Sequence, residues 1–346
     1  MHQTRVALFL CFWIPLPSSL KCVALDLLPK LKSLYISDCP DLESLCAHER
    51  PLIDLNSLLS LSIRGCPKLV SFPKGGLPAP VLTRLELYSC ENLKQLPESM
   101  HSLLPSLSHL EIKDCREVEL CPEGGFPSTL ESLWISNCNK LIAGRMQWGL
   151  QTLPSLLFFT IGWDENVESF PEEMLLPSSL TFLIIESLEH LKSLDYKGLQ
   201  HLTSLTRLDI NDCPLIESMP EEGLPSSLSS LVIRKCPMLK SLPWLQHLTS
   251  LGELIIRDCP LIESMPEEGL PSSLSTLRIH RRRRVALLPF FSCNSQCPML
   301  KSLPRLQHLT SLTSLRIIIC PLIESMPEEG LPSSLSSLDI RNCPHS

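Results

Sequence analysis

The segment Leu58-Leu59-Ser60-Leu61-Ser62-Ile63-Arg64-Gly65-Cys66-Pro67 contains the phrase Leu-x-x-Leu-x-Ile-x-x-Cys, which recurs about every 23 to 27 residues along the chain. A fixed period of this length, with apolar residues in constant register, predicts stacked coils that share one continuous core. We therefore expect one elongated array from the 346 residues, and not several globular domains. The copies begin at Leu31, Leu58, Leu82, Leu107, Leu130, Leu156, Leu180, Leu205, Leu228, Leu251, Leu274, Leu312 and Leu335.

Each copy predicts a short strand followed by an irregular return segment. The alternation in Leu34-Tyr35-Ile36 is typical of a strand whose successive side chains point to opposite faces. The return segments are rich in Pro and Gly, as in Pro220-Glu221-Glu222-Gly223-Leu224-Pro225, which disfavours helix. The predicted fold is a leucine-rich-repeat solenoid, or horseshoe, with a parallel β-sheet on the concave face. Its convex face is expected to be coil and short 3-10 turns, with little α-helix.

The predicted organisation has three parts. Residues 1–30 are interpreted as a degenerate first repeat or a spurious N-terminus, although the apolar stretch Val6 to Ile14 also resembles a signal peptide. Residues 31–346 form an array of about thirteen repeats. An insertion at 280–296 interrupts one repeat and is expected to loop out, because Arg282 falls on a buried position of the pattern.

The four arginines Arg281 to Arg284 leave two other readings of this insertion open. They are compatible with a nuclear-localisation or nucleic-acid-binding patch, or with a local docking loop. The formal net charge of the whole chain is -7, and no sustained basic face is evident, which disfavours nucleic acid as a general partner. No apolar run is long enough to span a membrane.

The cysteines follow the repeat. The chain contains 16, and many of them occupy the ninth position of a copy, as Cys39, Cys66 and Cys90 do. A small side chain turned inward where the strand ends is typical of this position, so we expect reduced structural thiols. Disulfides or a zinc site are the alternatives, and the absence of a Cys-x-x-Cys pair disfavours zinc.

The sequence predicts no catalytic, cofactor-binding or metal-binding residues. The Glu-Glu pairs, such as Glu221-Glu222, recur in a turn and are read as solvated loop charges, while His201, His247 and His308 belong to the repeat itself. No Gly-x-Ser-x-Gly or His-Glu-x-x-His motif occurs. We therefore expect a protein that is not an enzyme and needs no cofactor.

Two phrases resemble a plant receptor family in wording as well as period. Leu31-Lys32-Ser33-Leu34-Tyr35-Ile36-Ser37-Asp38-Cys39-Pro40 and Leu215-Ile216-Glu217-Ser218-Met219-Pro220 look like the repeats of plant intracellular nucleotide-binding leucine-rich-repeat disease-resistance proteins of the coiled-coil type. The resemblance implies a cytoplasmic module of an innate-immune receptor, which senses a pathogen effector or restrains the receptor's switch. Its implied partners are an effector, a guarded host protein or the receptor's nucleotide-binding domain.

The sequence departs from that family in one respect and leaves alternatives open. It contains no Gly-x-x-x-x-Gly-Lys-Ser/Thr phosphate-binding loop, so the nucleotide-binding domain is expected to be lacking. A secreted repeat inhibitor or receptor ectodomain is the first alternative, and it would require disulfide-paired thiols. A non-functional, truncated gene fragment is the second.

The candidate protein-binding residues follow from the strand pattern. The residue between the second Leu and the Ile of each copy is expected to face the concave surface, and neighbouring aromatic residues widen an apolar zone in the middle copies. Exposed aromatic side chains on such a surface are plausible anchors for a partner. The alternative is that irregular middle repeats fold these rings inward. The candidates are Tyr35, Trp134, Phe158, Trp163, Phe182 and Ile184.

Overall fold

The computed structural model describes residues 5–8, 12–14, 20–25, 29–46, 55–119, 121–262, 265, 269–280, 303–318, 323 and 330–341. The chain divides into two compact units, Met1–Asn166 and Val167–Ser346. Both units are built from the same kind of coil.

The first unit contains a ladder of parallel strands, one from each copy of the repeat. The return segments hold two short helices, α1 (Met100–Leu103) and α2 (Asn139–Ala143), and 3-10 turns at Arg145–Gln147 and Leu150–Thr152. The strands of the unit, in chain order, are β1 (Arg5–Leu8), β2 (Phe12–Ile14), β3 (Cys22–Ala24), β4 (Ser33–Ser37), β5 (Ser44–Cys46), β6 (Ser60–Arg64), β7 (Arg84–Tyr88), β8 (His109–Lys113), β9 (Ser132–Ser136) and β10 (Phe158–Asp164). The parallel ladder consists of β4 and β6 to β10, while β3 and β5 form a separate two-stranded sheet.

The second unit repeats this plan. One short helix, α3 (Tyr196–Gln200), lies in a described return segment. Its N-cap is Asp195, whose carboxylate accepts a hydrogen bond from the Lys197 backbone N–H. The strands are β11 (Ser169–Phe170), β12 (Phe182–Leu188), β13 (Ser193–Leu194), β14 (Arg207–Asn211), β15 (Ser230–Arg234), β16 (Glu253–Arg257), β17 (Thr276–His280), β18 (Ser314–Ile318) and β19 (Ser337–Arg341).

The parallel register places equivalent residues of successive coils side by side. In the second unit, Leu254 lies between Leu231 and Leu277, and all three side chains are fully buried. Each such side chain contributes about 1.5–3 kcal/mol by burial, and only the neighbouring coils can cover it. The predicted fold class is confirmed: the described residues form a parallel β-solenoid with little helix.

The eighth position of the repeat has a left-handed backbone that the sequence pattern did not predict. In β8 and its neighbours the N–H of this residue donates to a carbonyl on the next coil, as Asp114 does to Ser136 at 3.0 Å. This bond extends the ladder past the strand end. Asp, Asn, Ser and Gly tolerate positive φ best, which explains their frequency here. The residues are Asp38, Gly65, Ser89, Asp114, Asn137, Trp163, Ser187, Asp212, Lys235 and Asp258.

In the irregular middle copies of the repeat, other side chains fill the buried positions of the ladder. Phe159 replaces the second Leu and is buried, with its ring edge-on to that of Trp148 at a centroid distance of 6.3 Å. Asp164 replaces the ninth-position Cys, and its buried carboxylate accepts a hydrogen bond from the Asn166 backbone N–H at 2.7 Å. Leu188 fills the same position in the second unit and is fully buried.

The strands on either side of the predicted insertion pair directly. Ile279 of β17 aligns with Ile317 of β18, in the same register as all preceding pairs of this unit. His280 is the last residue of β17, and residues 281–296 lie outside the described residues. At the other end of the chain, β1 pairs antiparallel with both β2 and β4.

Candidate protein-interaction surface

The outward face of each strand carries the first, third and fifth residues, because the second and fourth face the core. In β4 the buried residues are Leu34 and Ile36, and Tyr35 between them is half-buried on the outward face. Tyr35 aligns with Ser62 on the next strand. The candidate Tyr35 therefore lies on the outward face, as the sequence predicts, and is half-buried beside Ser62.

Trp134 and Phe158 form an outward aromatic pair on adjacent strands of the first unit. Trp134 aligns with Thr160 of β10, and Phe158 aligns with Ser132 of β9. Phe158 is 43% exposed, whereas Trp134 is half-buried. The indole Nε1 of Trp134 is shielded from solvent and makes no hydrogen bond to any of the described residues. Phe158 thus offers an accessible ring, and Trp134 offers one partly covered ring beside it.

Trp163 is the most exposed of the candidates and occupies an unfavourable backbone conformation. Its side chain is 52% exposed, and its φ is 56° at the eighth position of the repeat. A bulky residue in this region costs about 1–2 kcal/mol relative to the right-handed conformation. Such strain persists where the surrounding structure enforces it, and it is frequent at functional sites. The sequence pattern gave no signal for this strain.

Phe182 and Ile184 lie in the second unit on β12. Both are half-buried, and they align with Arg207 and Asp209 of β14. The guanidinium of Arg207 donates two hydrogen bonds to the carboxylate of Asp209, at 3.0 and 3.1 Å. Phe182 and Ile184 therefore border a fixed ion pair, and each unit carries its own apolar outward residues.

Charged and aromatic groups also meet on the outward face of β7 and β8. Burial, followed by the hydrogen bond that the Tyr88 hydroxyl makes to Glu111, raises the pKa of Tyr88 above its usual value. The guanidinium of Arg64 lies 5.9 Å from the Tyr88 ring centroid, within the range of a cation–π contact. Arg84 and Glu86 form an exposed ion pair at 3.3 Å. This part of the surface is polar, and its positive side chains lie beside its negative ones.

The ninth-position cysteines form a ladder beneath this surface. The Cys115 Sγ atom donates to the Lys113 carbonyl at 3.4 Å and lies 3.7 Å from the Leu87 carbonyl on the preceding coil. Burial raises the pKa of both Cys138 and Cys213 to about 12, so both remain thiols near neutral pH. The expectation of reduced thiols holds for the following described residues: Cys39, Cys66, Cys90, Cys115, Cys121, Cys138, Cys213, Cys236 and Cys259.

Cys22 departs from that expectation because it is disulfide-bonded. It lies in β3, which pairs with β5 in a separate two-stranded sheet outside the strand ladder of the repeats. The repeat phrase therefore predicted the state of the ladder cysteines and not that of Cys22.

The described residues give no grouping suited to metal chemistry. Among them, no cluster of three or more His, Cys, Asp and Glu side chains could hold an ion. Glu221 and Glu222 are exposed, and the His308 ring lies 3.0 Å from the Leu270 carbonyl oxygen. Within the described part of the chain, no helix is long and apolar enough to cross a membrane.

The fold places the protein among leucine-rich-repeat solenoids. A solved structure of the Toll–Spätzle complex from Drosophila matches with a TM-score of 0.55 and 16% identity, covering 91% of this chain and 44% of the other. At this identity the match supports the fold alone. No family model matches the sequence.

The curated relatives are plant disease resistance proteins, and the chain matches their leucine-rich-repeat region. A candidate disease resistance protein of Arabidopsis thaliana is 43% identical over 223 residues, covering 64% of this chain and 15% of the relative. Disease resistance protein RPP4 of the same plant is 28% identical over 221 residues, covering 59% of this chain and 19% of the relative. The chain therefore spans less than a fifth of the length of these two relatives.

Proposed function

We propose that this chain is a non-enzymatic recognition module of a plant innate-immune receptor, acting in effector sensing or in restraint of the receptor's switch. The observation that carries the proposal is the 43% identity to a candidate disease resistance protein over 223 residues of repeat. Because the match spans 15% of that relative, the immune role is carried over to this chain as a proposal. The fold supports it, because stacked coils provide a long surface for contact with another protein.

The binding surface that we propose centres on Phe158 and Trp163 in the first unit. These two rings are 43% and 52% exposed, and exposed aromatic side chains dominate the energetics of many protein interfaces. The strained backbone of Trp163 also supports this proposal, because a smaller residue at the same position would have a lower conformational free-energy cost. Trp134 extends this aromatic surface, and Tyr35 lies on the same outward face.

Phe182 and Ile184 are proposed as additional contacts in the second unit. They are half-buried beside the Arg207–Asp209 ion pair, so a partner would cover apolar area next to a group whose hydrogen bonds are already made. This arrangement avoids leaving a buried charge unpaired on binding.

The partner class is a protein: a pathogen effector, a guarded host protein or the nucleotide-binding domain of a receptor. The outward rings match a protein surface better than a nucleic acid, because the chain carries a formal net charge of -7. We also propose a cytoplasmic location, supported by the free thiols of the ladder, since reducing compartments keep thiols unpaired; Cys22, outside the ladder, is disulfide-bonded.

The test is a comparison of captured proteins. The full chain and the Phe158→Ser/Trp163→Asn double variant would be immobilised and exposed to extract from pathogen-challenged plant tissue. Captured proteins would be quantified by mass spectrometry and re-tested as purified binders. We expect at least one defence-related binder of the wild type to be lost in the double variant.

The matched control is Trp244→Ser, which removes a 58% exposed ring from the second unit and should leave binding unchanged. Thermal melting of each variant would show that the fold is retained. Identical binders for the wild type and the double variant, or purified binders unrelated to defence, would contradict the proposal.

A further inference from the structure

The second unit carries an exposed apolar stripe just beyond the strand ends. Leu215 and Met238 are 39% and 36% exposed, and Leu261 is half-buried. Each lies two residues after a ladder cysteine, at Cys213, Cys236 and Cys259. We call Leu215, Met238 and Leu261 the apolar rim.

The equivalent residues of the first unit show that successive coils bring this position together. Lys68 and Asp41 occupy it on adjacent coils, and their Nζ and Oδ1 atoms are 2.7 Å apart. Lys140 and Glu117 form the same kind of pair at 2.7 Å. Because β16 and β15 keep the same parallel register, the rim residues are neighbours in the same way.

The first unit also shows that the fold does not require apolar residues at this position. Asp41, Lys68, Asn92 and Glu117 occupy it there, and the coils retain their register. The apolar rim residues therefore expose apolar surface at a position where the fold also tolerates charged side chains. Contiguous exposed apolar surface of this kind is typical of an interaction site.

Arginines dominate the strand face beside the rim. The outward residues of β14 to β18 include five arginines but only two carboxylates, Asp209 and Glu253. Arg207 is held by Asp209, whereas Arg278 has no ion-pair or hydrogen-bond partner within the described residues. The arginines are Arg207, Arg234, Arg257, Arg278 and Arg316.

Arg257 is incompletely satisfied. Its Nε lies 3.7 Å from an oxygen of Asp258 and, within the described residues, makes no hydrogen bond although it is shielded from solvent. Arg257 precedes the rim residue Leu261 by four positions, as Arg234 precedes Met238. Arg234 pairs with Asp209 at 3.8 Å, so among these two arginines only Arg257 has a guanidinium nitrogen whose hydrogen bond is unmade within the described residues.

The behaviour of His280 supports a positive local potential. Burial and the nearby cations Arg257, Arg316 and Arg278 lower its pKa, and the opposing effect of Asp258 does not reverse this. His280 aligns with Arg257 on one side and Ile318 on the other. Arg257, Arg278 and Arg316 therefore all lie close enough to His280 to lower its pKa.

We propose that the apolar rim and Arg257 with Arg278 form a docking site for a protein segment that presents Asp or Glu side chains next to apolar ones. This inference rests on the proposed recognition function and specifies a second contact surface for it. Carboxylates match the guanidinium fork geometrically, and apolar side chains cover the rim. A nucleic acid would satisfy the arginines but leave Leu215 and Met238 uncovered.

The experiment selects binders without knowing the natural partner. A random dodecapeptide display library would be panned against the full chain, and enriched peptides would be synthesised with a fluorescent label. We expect enrichment of acidic residues next to Leu, Ile or Phe. Anisotropy titrations should then show about tenfold weaker binding to Met238→Lys and to Arg257→Gln, or about 1.4 kcal/mol each.

The variants have matched controls. Met238→Lys introduces the residue that Lys68 already provides at this position, so the fold should persist, as a thermal melt would verify. Val70→Lys, at a 41% exposed apolar residue of the first unit, should leave peptide binding unchanged.

The outcomes separate this site from the aromatic surface. Enriched peptides that lose binding only in the Phe158→Ser/Trp163→Asn variant would overturn the rim site while leaving the proposed function intact. The rim site would also be overturned if the selected peptides were not enriched in acidic residues, or if their binding were unchanged by Met238→Lys. So would a labelled single-stranded oligonucleotide that binds through Arg257 independently of Met238.

Discussion

The Sγ atom of Cys138 lies 3.6 Å from the carbonyl oxygen of Ile112, which is 26 residues earlier and one coil away. The same sulfur donates to the Ser136 carbonyl at 3.2 Å. Cys90, Cys115 and Cys259 make the same two contacts, so each of these thiols ties the end of its own strand to the preceding strand. The contact is weak individually, but it recurs in both units and depends on the thiol remaining protonated.

The thiol ladder predicts lower stability at alkaline pH. Burial raises the pKa of Cys138 to about 12, whereas an unfolded thiol titrates near about 8.5. Above that lower value the unfolded chain loses a proton that the folded chain keeps, so the free energy of unfolding falls as pH rises. The slope is about 1.4 kcal/mol per pH unit for each such thiol.

Urea unfolding at pH 8 and pH 10 measures this effect. Cys138→Ser should reduce the loss of stability by about 1–2 kcal/mol relative to the wild type. Cys213→Ser should do the same in the second unit, because burial raises the pKa of Cys213 equally to about 12. Equal pH dependence in wild type and both variants would refute the role assigned to these thiols.

A charge in the leucine ladder should disrupt the second unit. Leu254 is fully buried between Leu231 and Leu277, so Leu254→Asp places a carboxylate where no water or cation can reach it. We expect a loss of about 3–5 kcal/mol or a failure to fold, measured by denaturant titration. Leu338→Asp is the control, because Leu338 occupies the equivalent position of β19 but is 49% exposed. Similar losses in the two variants would argue against the shared core.

Relief of backbone strain should separate stability from binding at Trp163. Trp163→Asn places a residue that tolerates positive φ, as Asn137 does at the same position. The variant should be more stable by up to about 1 kcal/mol and should lose binders of the aromatic surface. Lys235→Asn should show the same stability gain, since Lys235 has a φ of 51°, but no loss of those binders. A destabilised Trp163→Asn variant would show instead that the ring supports the fold.

Removal of the insertion should be tolerated. From β14 to β17 the successive coils are spaced by 23 residues, as between Ser275 and Gly252, whereas Thr313 bonds to Ser275 across 38 residues. Deleting 282–296 restores the shorter spacing and joins Arg281 to Cys297 in the repeat phrase. The melting temperature should be unchanged or higher. A large decrease would show that the inserted residues contribute to the core.

Periodicity explains why much of the fold was predictable. Residues such as Leu61, Ile63 and Cys66 recur with constant spacing, so their burial follows from the register alone. The pattern could not reveal the left-handed eighth position, because Asp38, Ser89 and Asn137 share only their tolerance of positive φ. It also did not single out Leu215 and Met238, since a lone apolar residue in a turn carries no periodic signal until its neighbours on adjacent coils are known.

The repeat pattern was enough to predict the coil, the ladder residues and the outward face of each ladder strand, because a strand's side chains alternate with a period of two regardless of context. The accessibility of those outward residues became known from the three-dimensional packing. Val232 and Phe158 both lie on outward faces, yet Val232 is fully buried and Phe158 is 43% exposed. The reason is that exposure depends on the length and charge of side chains one coil away, such as Asp209 and Ile255 beside Val232.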